Sequence, residues 1–145
     1  MFDQVLVGAV TSVCNVTIHA LVMLIVIRVA NAVASTSARW PSLLIAATMI
    51  ATVLVLMAAH TLEVLVWAII YFFVDLAPAG SSLVYFAFVN YTTLGYGDII
   101  PAAQWQLLGP IAAMNGVLLF GWSTAVIFEV LRVLLARVLA LRSPT

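Results

Sequence analysis

The sequence has no lysine, one cysteine and few charges of either sign, and each scarcity excludes something. Five arginines and five acids make up 7% of 145 residues, while 66% are apolar. Soluble domains carry about 25% charged residues, so a soluble domain is excluded. Cys14 has no second cysteine to bridge to, which rules out a disulfide framework within the chain and leaves it as a small hydrophobe in an apolar run. The N-terminus lacks a basic region and a small-residue cleavage site, so its first apolar stretch is expected to persist as a membrane span.

What is present is length and apolarity. A bilayer core of ~30 Å needs roughly 20 mostly apolar residues in a helix. Three stretches qualify: about Val5 to Val29, Ser42 to Phe73 and Gln104 to Leu139. The first belongs to residues 1–33. Residues 42–141 form a second unit, with an outer helix over about 42–74 and an inner helix over about 104–140. Asn31 to Pro41, with Ser35, Thr36, Ser37 and Arg39, reads as a turn, and Pro41 suits the first turn of the second helix. Asp75 to Gly80 reads as another turn, and Ser81 as the N-cap of a short helix within 81–92. That helix is too short to span, and Pro101 bars immediate re-entry into a helix. A short helix, a glycine-rich strand and a proline between two spans predict a re-entrant loop. Non-helical backbone survives at membrane depth only where protein buries it or it lines a water-filled cavity.

Orientation follows from the arginines. Arg28 and Arg39 flank the first turn; Arg132, Arg137 and Arg142 end the third helix. With three spans both groups fall on one side, predicted to be the cytoplasm. Asp3, Asp75 and Asp98 fall on the other. The expectation is a multi-pass protein of the cell inner (plasma) membrane, N-terminus outside and C-terminus cytoplasmic.

Residues Thr92-Thr93-Leu94-Gly95-Tyr96-Gly97-Asp98 resemble the signature of the potassium-channel pore-domain family. The resemblance covers about Ser42 to Leu139 and extends to Asp98-x-x-Pro101. It is nearest to small bacterial pore-only channels, here with one extra N-terminal helix. It implies an all-α membrane protein: three transmembrane helices, a re-entrant pore helix and a selectivity-filter loop over 93–98, in a fourfold-symmetric tetramer. Carbonyls of Thr93, Leu94, Gly95 and Tyr96, with the Thr93 hydroxyl, would replace the water of a potassium ion. Tyr96 would pack outward, and Asp98 would ring the outer mouth. Gly116 would be the inner-helix hinge, with Gly121 a second candidate, and Phe120 and Thr124 would face the cavity below the filter. The implied partners are three identical subunits and membrane lipid, with no nucleic acid. No cofactor is implied beyond K+ as the permeating ion, and no enzyme activity. No span carries arginines at every third position, so no voltage sensor is expected.

The chain departs from the family in places. Asn90 stands where a Thr is common, Val89 where some members carry a Glu, and Phe86 where others carry a Trp. Asp98 thereby lacks two familiar partners, with Tyr85 a substitute.

Polar residues inside the spans form a second pattern. Asn15 and His19 are four apart and share a face, as do His60 and Glu63, three apart. Counting depth along antiparallel spans places His19 level with His60 and Asn15 level with Glu63. Contact between the stripes is expected, because polar groups in hydrocarbon seek one another. One reading is that they dock the first helix; a second is a proton or metal sensor. Glu129 and Arg132, three apart, read as an ion pair; the alternative for Glu129 is an inner-mouth ring of acids that concentrates cations. Besides a potassium-selective channel, two other functions fit: a non-conducting accessory subunit, and a membrane metal-binding or sensor protein using His19, His60 and Glu63.

Overall fold

Four helices follow one another in the computed structural model: α1 (Phe2–Ala34), α2 (Pro41–Phe73), a short α3 (Leu83–Tyr91) and α4 (Leu108–Arg142). A 3₁₀ turn over Ala103–Trp105 precedes α4. The structure describes residues 1–36 and 39–142, the side chains of Leu141 and Arg142 excepted; Ser37 of the first turn therefore lies outside the described residues. There is no strand among the described residues.

Three helical stretches are long and apolar enough to cross a membrane: Phe2–Ala34, Pro41–Phe73 and Ala103–Ala140. A helix of 33 residues is about 50 Å long at ~1.5 Å per residue, so each outruns the hydrocarbon layer and must tilt or project into water. α3, with nine residues, is about 14 Å long and cannot cross.

The boundaries shift the sequence reading in three places. α1 continues through Ala34, so Asn31 is helical, its amide donating to the Ile27 carbonyl at 2.9 Å. The cap of α3 is Ser82 rather than Ser81: the Ser82 hydroxyl accepts from the Tyr85 amide at 3.4 Å. α4 begins at Leu108 rather than near Gln104, because Ala103–Trp105 wind into the 3₁₀ turn. Pro110 then falls in the first turn of α4, where its missing N–H has no partner to lose.

α1 lies along both α4 and α2, most extensively along α4. Gly8 brings the two backbones together: a Cβ there would sit 2.7 Å from Ile111 Cδ1. Gln4 on α1 accepts from the Leu107 amide at 2.9 Å, capping the start of α4.

Two apolar clusters fill the bundle. Trp67, Tyr71, Phe86, Tyr91 and Leu108 belong to one, around α3. Met23, Leu56, Val126 and Leu134 belong to the other, near the far ends of the long helices. Between them the helices contribute a polar layer: Asn15, His19, Glu63, Asn115 and Ser123, all buried. A buried polar layer in an apolar bundle is costly unless its hydrogen bonds close, and that requirement shapes the site.

Candidate functional site

α3 ends by turning its last carbonyls back on the chain. Amides of Thr92, Thr93 and Leu94 donate to the carbonyls of Phe88, Asn90 and Val89 at 2.9, 3.0 and 2.9 Å. Beyond this point the backbone alternates. Thr93, Gly95 and Gly97 have φ of 62°, 59° and 77°, while Leu94 and Tyr96 between them keep ordinary negative values. In a regular strand successive carbonyls point to opposite sides; alternating left- and right-handed φ turns successive amides to one side and carbonyls to the other. Gly95 and Gly97 adopt this at little cost. Thr93, with a β-branched side chain, does so against a penalty of roughly 1–2 kcal/mol. Thr92 through Asp98 are all exposed, and Tyr96 projects away from the bundle.

A cavity of about 260 Å³ lies behind this segment, lined by Val89, Asn90, Gly95, Gly97 and Asp98 among others. The Tyr85 hydroxyl faces the carboxylate of Asp98, an interaction that holds the phenol above its usual pKa. Tyr85 is thus the residue beside Asp98.

α4 passes beneath the segment as one unbroken helix through Gly116 and Gly121. Gly116 packs against the end of α3: a Cβ there would overlap the Tyr91 carbonyl oxygen. Gly121 faces open space. Phe120 and Thr124 are exposed on the same helix, and the Phe120 ring meets His60 at 4.6 Å and Tyr91 at 5.4 Å between centroids.

The polar layer closes around Glu63, which has no exposed surface. His19 Nδ1 lies 2.8 Å from Oε1 and His60 Nδ1 lies 3.0 Å from Oε2. The Tyr91 hydroxyl donates to Oε2 and also sits 3.0 Å from His60 Nδ1. On the far side of both imidazoles, Ser123 Oγ lies 2.9 Å from His60 Nε2 and 3.3 Å from His19 Nε2. Glu63, His19, Ser123 and His60 therefore form a ring, with Tyr91 entering at the carboxylate. A hydroxyl can donate once and accept as well. Every link is then satisfied when the carboxyl and two imidazoles together hold one proton more than an ionised carboxylate with two neutral rings. That state carries no net charge, which suits hydrocarbon.

A second knot lies alongside. The Asn15 amide donates to the Glu63 carbonyl at 3.2 Å and to Asn115 Oδ1 at 3.1 Å; Asn115 Oδ1 also accepts from Trp67 Nε1 at 3.2 Å. The structure thus brings Asn15, His19, His60 and Glu63 together, His19 meeting Glu63 directly rather than only His60. Sequence reasoning missed Tyr91, Ser123 and Asn115. Ser123 and Asn115 are eight apart on α4 and share a face, a periodicity visible beforehand. Tyr91 had no such signal, since its reach depends on where α3 ends. Glu129 accepts from Arg132 at 2.6 and 2.7 Å, an exposed pair on α4.

Comparison with known proteins adds one finding. A family model described as ion channel matches residues 59–133, just over half of the chain. The match runs from the residue before His60 to the residue after Arg132 and so takes in α3, the alternating segment and most of α4. No curated protein matches the chain, and no solved structure does.

Proposed function

Since this chain belongs to the ion channel family, we propose that it is one subunit of a homotetrameric, potassium-selective pore for passive K+ flow. The observation that carries the reading is the alternation of positive φ at Thr93, Gly95 and Gly97 directly after a short helix. A segment built this way offers a ladder of carbonyl oxygens on one side, the chemistry that replaces the hydration shell of a potassium ion. Thr93, Leu94, Gly95 and Tyr96 supply the ion sites. The negative end of the α3 dipole at Thr92 favours a cation beneath them.

One chain supplies one such strand, and an ion needs oxygens all round it, so four copies about an axis complete the site. The exposure of Thr92–Asp98 and of Phe120 and Thr124 on one chain supports this reading, because these are the surfaces an axis would cover. α3 is a re-entrant pore helix, α2 the outer and α4 the inner helix. The arginine distribution sets the filter on the outer side and the end of α4 in the cytoplasm.

The test is ion flux through purified protein in liposomes, with opposed potassium and sodium gradients and barium as blocker. A membrane potential set by potassium and collapsed by barium is expected. A potential that follows sodium equally well overturns the selectivity.

A further inference from the structure

The ring around Glu63 does more than dock α1. We propose that His19, His60, Glu63 and Tyr91 form a binding site for Zn2+ that ties α1 to the end of the pore helix and thereby controls the filter. Two imidazoles and a carboxylate are a common zinc donor set. Here one ligand atom from each of His19, His60 and Glu63 lies within 4.8 Å of the others. The Tyr91 hydroxyl, 3.0 Å from His60 Nδ1 and bonded to Glu63, offers the fourth position.

Geometry favours the site in three ways. With Zn–N and Zn–O near 2.0–2.1 Å, donors in a tetrahedral shell stand about 3.3 Å apart. His19 Nδ1 at 2.8 Å from Oε1 and His60 Nδ1 at 3.0 Å from Oε2 need open by a few tenths of an ångström, while the wider separations, all within 4.8 Å, close toward that spacing as the rings and carboxylate turn. Both rings are already aimed, because Ser123 holds their Nε2 atoms and leaves the Nδ1 atoms turned to the carboxylate. Such outer contacts orient histidine ligands in metal sites. The charge also balances: Zn2+ replaces two protons of the neutral assembly, leaving carboxylate and phenolate as ligands and no net charge in the membrane.

Access is from one side. His19 and Glu63 are fully buried, but the His60 side chain is 15% exposed. It lines a cavity of about 210 Å³ with Met57, Val64, Tyr91, Thr92 and Phe120. The four ligands come from α1, α2 and α3, and Tyr91 lies two residues before Thr93. Bound metal would fix the Tyr91 carbonyl against Gly116 and so the entrance to the filter. This regulatory half rests on the pore reading; the binding half does not.

The test titrates Co2+, as a coloured stand-in for Zn2+, into purified detergent-solubilised protein and follows the visible bands of four-coordinate cobalt. One ion per chain, displaced by Zn2+, is expected. Glu63→Gln should weaken binding by at least about 100-fold, and Ser123→Ala by about 10- to 100-fold. Glu63→Gln can keep the ring closed, its amide donating to one imidazole while its oxygen accepts from the other and from Tyr91. Circular dichroism and gel filtration of the metal-free variant check that its fold persists. Absent bands, or bands that both variants leave unchanged, overturn the site. For the regulatory half, Zn2+ should change potassium flux in the native chain by about tenfold or more and leave Glu63→Gln unaffected. Equal flux with and without Zn2+ in protein that binds cobalt overturns regulation. Absence of any flux overturns the pore reading, and with it the regulation, leaving the spectra to decide the site alone.

Discussion

Replacing Glu63 by leucine and by glutamine separates the hydrogen bonds of the ring from its charge. Leucine removes the acceptor for His19 on α1 and Tyr91 on α3, as well as for His60 one turn away on α2. Interhelical hydrogen bonds in membranes are worth ~0.6 kcal/mol on average and up to ~1.7. Two lost interhelical bonds therefore predict a destabilisation of about 1–3 kcal/mol. Glutamine has nearly the same shape and can satisfy the ring in one arrangement. Its NH2 donates to His19 Nδ1, while its oxygen accepts from His60 Nδ1 and Tyr91. His19 Nε2 donates to Ser123, and the Ser123 hydroxyl donates to His60 Nε2. Its cost should stay below about 1 kcal/mol, within the range of one bond of this kind. Reversible unfolding of the purified chain in mixed micelles, followed by circular dichroism, measures both. If glutamine costs as much as leucine, a carboxylate charge rather than a closed neutral ring holds the helices together, and the proton count is refuted.

Two further substitutions probe the proposed filter and its support. Gly95→Ala places a side chain on a residue with φ of 59°, where the nearest atom is 3.9 Å from the new Cβ. The penalty is therefore conformational rather than steric, roughly 1–2 kcal/mol, and potassium-over-sodium selectivity in the liposome assay should fall or vanish; unchanged selectivity sinks the filter reading. Gly116→Ala drives a methyl into the Tyr91 carbonyl. Overpacking of this kind costs about 1–3 kcal/mol, and the shift of Tyr91 should show as reduced flux and a lower unfolding midpoint. Native flux and stability in this variant would mean α3 and α4 are not in the contact described.

Much was legible without a fold. Length and apolarity marked three helices, because the bilayer sets a span length that composition either meets or does not. Thr92–Asp98 stood out as a motif, and helical spacing put Asn15 with His19 and His60 with Glu63. Periodicity assigns residues to a face of their own helix; it does not say which helix that face meets. Only the packing of α1 against both α2 and α4 brought Ser123 between the two imidazoles and Asn115 between Asn15 and Trp67. The helix ends were also decided by tertiary contacts, as where Gln4 caps the start of α4 from another helix. Tyr91 is the clearest case. In sequence it is one aromatic residue beside a filter motif. In space the close approach of α3 to Gly116 lowers its hydroxyl onto Glu63, and that approach links α1, through Glu63 and Tyr91, to the Thr92–Asp98 segment.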